Sequence, residues 1–118
     1  MRRILLAGWL ASMAVVAYLS LLPGIELPVT FWNADKFYHF LAYGWLGALP
    51  PLAFAGRERG RAAAYAMVIL GALLEWGQSF VPGRAASAGD AVANALGVFL
   101  GIWLAEAFLV RRGARRTS

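Results

Sequence analysis

The sequence predicts an all-α integral membrane protein, a bundle of four transmembrane helices with both termini cytoplasmic. Three observations carry that reading. Of 118 residues, 61% are hydrophobic and only 14% charged, whereas a soluble domain carries roughly 25% charged residues. The apolar residues collect in four runs, Ile4–Leu22, Phe37–Ala55, Ala62–Val81 and Gly89–Val110, each near the roughly 20 residues needed to cross a hydrocarbon core as a helix. The arginines, finally, fall into alternate gaps between the runs. In lipid the backbone must satisfy its own hydrogen bonds, so runs of this length are helices. The spans are placed at 4–22, 36–55, 62–81 and 89–110, in one membrane domain covering 1–118.

The first run follows Arg2 and Arg3 and has the outline of a signal peptide. At about 19 residues it exceeds the usual 7–15-residue apolar region, and no small-residue cleavage site follows it, so it reads as a retained span. The second run contains Pro50 and Pro51. Proline lacks the helical N–H and crowds the preceding turn, so this helix is expected to kink or end near Leu49. The fourth run is preceded by Ser87-x-x-Asp90, the form of a capping box with Asp in place of Glu or Gln. It contains Ala93-x-x-x-Gly97-x-x-x-Gly101, a small-residue stripe that allows helices to approach closely.

Orientation follows from the basic residues. Arg2, Arg3, Arg57, Arg59, Arg61, Arg111, Arg112, Arg115 and Arg116 are assigned to the cytoplasmic side, leaving Lys36 and Arg84 outside. The net charge of +5 is split among short segments, which fits membrane orientation better than a phosphate-binding face. With no cysteine in the chain, disulfides, thiol nucleophiles and thiolate metal sites are excluded. The first external loop, "PGIELPVTFWNAD", places Phe31 and Trp32 where rings sit at the headgroup level.

This topology gathers the polar residues. Asp35, Lys36 and His39 open the second helix, Glu75 and Gln78 end the third, and Asp90 and Asn94 open the fourth, with Arg84 in the short loop between. All lie near the outer leaflet, and the inner halves of the helices carry almost no comparable groups. Asp35, His39 and Tyr43 share one helical face, as do Gly71, Glu75 and Gln78, and as do Asp90, Asn94, Gly97 and Gly101. Glu75 is about 9 Å from its helix end at 1.5 Å per residue, a depth at which an acid faces protein or trapped water. Structural readings stand beside functional ones. Asn33 is a candidate N-cap with Asp35 favoured by the positive helix terminus; Lys36 is placed to snorkel. Asn94 and Gln78 are candidates for interhelical glue, Asp90 for the capping acid, and Arg84 for neutralisation by Asp90 or lipid phosphate.

Asp35-Lys36-x-x-His39-Phe40, then Glu75-x-x-Gln78, then Arg84 and Asp90-x-x-Ala93-Asn94-x-x-Gly97 resembles the VanZ-like membrane proteins. The resemblance covers about Leu21 to Gly101, including "SLLPG" at the end of the first span. It implies a four-helix protein of the bacterial inner membrane and carries over Asp35, Lys36, His39, Glu75, Gln78, Arg84, Asp90 and Asn94 as site residues. The family takes its name from a protein associated with resistance to teicoplanin-type lipoglycopeptides. The resemblance therefore supports a fold and a site more than a reaction.

Three functions compete. In the first, an outer-leaflet polar pocket binds or shields a lipid, an envelope precursor or a lipid-tailed antibiotic, with Lys36 and Arg84 toward an anionic head and Phe31 and Trp32 beside the acyl chains. In the second, the protein is an enzyme acting on an envelope lipid. His39 is then the general base held by Asp35, Glu75 the proton donor, Arg84 and Lys36 the charge stabilisers, and water the nucleophile, since Ser79 and Ser87 lack a motif context. A variant with a hard cation on His39, Asp35, Glu75 and Asp90 is the lesser form of this reading, and no metal or cofactor is expected. In the third, the polar set only fixes helix register. Ion transport is weaker still, because the inner halves lack a relay. No nucleic-acid partner is expected.

Overall fold

A computed structural model describes residues 1–23, 34–83 and 87–117, the side chains of residues 34, 35, 114, 116 and 117 excepted. Within them the chain is all-α, four helices in sequence: α1 (Arg2–Leu21), α2 (Ala34–Ala53), α3 (Arg57–Gln78) and α4 (Ala88–Thr117). Successive helices run in opposite directions, so the starts of α2 and α4 meet the ends of α1 and α3. We call this the His39 end and the opposite one the Arg61 end. Helices α1 and α4, the latter over 88–113, are long and apolar enough to cross a membrane.

Packing is most extensive between α2 and α4, while α1 lies against α2 and α3 without meeting α4. The reason is the small-residue stripe. A Cβ on Gly97 would collide with the Phe40 carbonyl oxygen, one on Gly101 with that of Gly44, and one on Gly47 would stand 2.7 Å from the Val98 oxygen. Backbone therefore meets backbone along this seam, with Leu46 and Val98 fully buried beside it. The exterior is the reverse of a soluble surface. Leu41, Trp45, Ile69, Leu73, Trp76, Leu96, Phe99 and Trp103 are all exposed, an apolar extent that water-soluble monomers rarely carry.

The helix ends depart from the sequence expectation in four places. Helix α2 does not end at Leu49; it continues through Pro50 and Pro51 to Ala53. Pro50 has no N–H for the Leu46 carbonyl one turn back, and the Trp9 indole of α1 donates to that oxygen instead, at 3.2 Å. Gly60 makes room on the other side, since a Cβ there would lie 2.9 Å from Pro51 Cα. The prolines are tolerated because neighbouring helices replace what they remove. Secondly, the α2–α3 connection is only residues 54–56, so Arg57, Arg59 and Arg61 occupy the first turns of α3 rather than a loop. Helix α4 likewise extends past Val110 through the basic tail. Helix α3 ends at Gln78 rather than Val81, which puts Glu75 in its last turn instead of about 9 Å from the helix end.

Candidate functional site

The site is built on three helix termini. Helical spacing puts Glu75 and Gln78 on the inner face of α3 with Gly71, and all three are buried. Spacing does the same for Asp90 and Asn94 on α4, which are 3% and 2% exposed, while Glu75 is 7% exposed. Tyr43, one turn below His39, is also buried, and both its ring and Asn94 lie against Gly71. That glycine is what lets α3 come close enough for Glu75 to reach α4.

Each polar side chain has a definable partner. His39 Nδ1 meets Asn94 Oδ1 at 2.8 Å. The amide oxygen only accepts, so Nδ1 carries the hydrogen and Nε2 faces away from this contact. Lys36 Nζ lies 3.2 Å from Asp90 Oδ1, its stem passing over Gly89, where a Cβ would stand 2.8 Å from Lys36 Cε. Gln78 Nε2 donates to the Ser20 carbonyl at 2.9 Å, satisfying an orphan acceptor in the last turn of α1 and tying α3 to α1.

The capping box forms with a different acid from the one its spacing names. Ser87 Oγ accepts from the Asp90 N–H at 3.0 Å, which is half of the motif. The reciprocal half, a carboxylate on the Ser87 N–H, is supplied by Glu75 Oε1 of α3 at 2.5 Å. Glu75 thus takes the place expected of Asp90, and Asp90 is released to pair with Lys36. The other oxygen, Glu75 Oε2, is buried and has no hydrogen-bond partner among the described residues. One potential ligand atom from each of His39, Glu75 and Asp90 lies within 4.8 Å of the others. Beside them a surface recess of about 300 Å³ opens between α3 and α4, lined by Glu75, Ser87, Trp76, Ala72 and Ala91. Trp76 and Phe80 stand edge to face at its side, ring centres 5.3 Å apart.

Of the residues named from sequence, Lys36, His39, Glu75, Asp90 and Asn94 come together, and Gln78 points its donor to α1. Arg84, Asn33, Phe31 and Trp32 lie outside the described residues. Asp35 is in the first turn of α2, its side chain likewise outside the description. The sequence reading passed over Glu106. At the Arg61 end its two oxygens take Arg61 Nε and Nη2 at 2.5 and 2.7 Å, and Arg57 Nη2 at 3.3 Å. An acid within an apolar run, level with the arginines that open α3, was the available signal.

No curated protein and no solved structure matches the chain. Residues 4–110 match the VanZ/LLP1 family profile, a stretch wider than the Leu21–Gly101 motif region and including nearly all of α1. The chain belongs to the VanZ/LLP1 family.

Proposed function

We propose that all four helices cross the bacterial cytoplasmic membrane with both termini cytoplasmic, and that the His39 end is an outer-leaflet pocket. It binds or shields the polar head of a lipid, a lipid-linked envelope precursor or a lipid-tailed antibiotic. The membrane placement is supported by the family, by the apolar exterior and by the lengthwise packing of α2 and α3 against the two long apolar helices. The basic residues of the Arg61 end favour the cytoplasm there.

The observation that carries the site reading is Glu75 Oε2. A buried carboxylate oxygen left without a partner is costly, and holding it beside an open recess makes sense where a ligand supplies the missing partner. Trp76, which lines the recess with Phe80 against its ring, offers an apolar wall for an acyl chain. Lys36 is engaged by Asp90, so the pocket is poorly suited to trapping an anion by charge alone. A head group that presents positive charge or hydrogen-bond donors suits it better.

The test is equilibrium binding to purified protein in detergent, comparing teicoplanin, its aglycone without the acyl chain, and anionic and zwitterionic lipid. Wild type is expected to bind at least one acylated probe, with Asp90→Asn weakening it at least tenfold. Equal binding by wild type, Asp90→Asn and Glu75→Gln would remove the pocket reading.

A further inference from the structure

We propose that the cluster of His39, Glu75 and Asp90 is a divalent-cation site, taking an ion of mixed nitrogen and oxygen preference such as Mn²⁺ or Zn²⁺. The inference rests on the reading of this end as a ligand site, and the two fail separately, because metal uptake is scored with no lipid or antibiotic present.

The geometry comes first. Three ligand atoms lie within 4.8 Å of one another, near the spacing that a single ion bridges at metal–ligand distances of about 2.0–2.6 Å. The donors are also in the right state. Asn94 fixes the imidazole tautomer through Nδ1, which is how ligating histidines are usually held, with the other nitrogen free for the metal. Lys36 meets Asp90 through Oδ1, so Oδ2 remains for an ion. Glu75 Oε1 accepts from the Ser87 N–H, and Oε2, without a hydrogen-bond partner among the described residues, is left for coordination. Ser87 and Asn94 orient two of the three ligands from outside the cluster.

Charge points the same way. Two buried carboxylates approach each other, and the described cation Lys36 is paired with one of them, Asp90. A divalent ion more than offsets the negative charge left over and gives Oε2 a partner in one step. The donor set contains imidazole and carboxylate but no thiolate, the mixture that suits Mn²⁺ and Zn²⁺ and sets it apart from all-oxygen Mg²⁺ or Ca²⁺ cages. A proton on Glu75 is the competing way to neutralise the pair, and metal uptake separates the two.

The experiment uses the full chain purified without chelator, stripped with EDTA, then equilibrated with Mn²⁺ and desalted. One Mn²⁺ per chain is expected, displaced by Zn²⁺, with ¹⁴N coupling in pulsed electron paramagnetic resonance. Asn94→Ala should weaken binding by about 10–100-fold as an orienting contact, and Glu75→Gln and Asp90→Asn by at least as much. His39→Gln should abolish the ¹⁴N coupling; its side chain is only half-buried, so this variant carries the comparison if a carboxylate variant fails to fold. Uptake below one-tenth of an ion per chain overturns the site. So does equal uptake by wild type and Glu75→Gln, or bound Mn²⁺ without ¹⁴N coupling.

Discussion

The two ends of the bundle handle an acid set between helices in opposite ways, Glu75 buried and Glu106 partly buried. At the Arg61 end, both oxygens of Glu106 are taken by guanidinium groups. That pairing persists beside a recess of about 370 Å³ lined by Arg2, Pro51, Phe54, Arg57 and Glu106. At the His39 end, Glu75 has one oxygen on a backbone N–H and one with no hydrogen-bond partner among the described residues, although His39 and Asp90 are close by. A recess alone therefore does not mark a site. The difference is chemical: one acid has both oxygens taken as a clamp, and the other has one oxygen with no hydrogen-bond partner among the described residues.

Four perturbations break or sharpen this contrast, in falling order of expected effect on stability. Gly101→Ala should be the most damaging, because its Cβ meets the backbone of α2 rather than a flexible side chain. Overpacking of this kind costs about 3 kcal/mol, and detergent unfolding should show it. Gly8→Ala and Gly113→Ala, with nothing within 4 Å, serve as silent controls. If Gly101→Ala is also silent, the α2–α4 seam is not what positions the two ends.

Trp9→Phe comes next. The ring's edge-to-face contact with Phe54, at 5.6 Å, can be retained, but the Leu46 carbonyl loses its donor. An unsatisfied buried acceptor costs about 1–3 kcal/mol. In a Pro50→Ala background the helix supplies its own N–H, so the same change should cost clearly less. A double-mutant cycle with no coupling would show that Trp9 does not compensate for the proline.

Glu106→Gln should lower the melting temperature moderately, since its two arginines are part-exposed and partly solvated. It should leave metal uptake and probe binding at the other end unchanged. Loss of binding in this variant would mean the ends are not independent.

Much of the site was legible because helical faces are a local property. Residues at i, i+3 and i+4 share a face whatever surrounds them, and the grouping of Gly71, Glu75 and Gln78, or of Asp90, Asn94, Gly97 and Gly101, is the buried grouping observed. Pairing across helices was not legible, because it depends on rotation and register between segments far apart in sequence. Spacing within "SAGD" pointed to Asp90 as the capping acid, yet the acid that arrives is Glu75, twelve residues upstream. The continuation of α2 through Pro50 depends on an indole 41 positions away. Glu106 was overlooked for a related reason: a single acid in an apolar run gains meaning only once α3 is known to start among its arginines.

The smallest expected effect on stability belongs to Glu75→Gln, and it is the most direct test of the account. The amide oxygen can still accept from the Ser87 N–H, while the amide nitrogen brings a donor to the place of Oε2 and removes one of two adjacent negative charges. Melting temperature and Mn²⁺ affinity, measured on the same preparation, should therefore diverge. The account predicts a melting temperature unchanged or raised, with affinity at least tenfold weaker. A lower melting temperature with Mn²⁺ affinity at the wild-type value would contradict it, and would make Glu75 a fastening between α3 and α4.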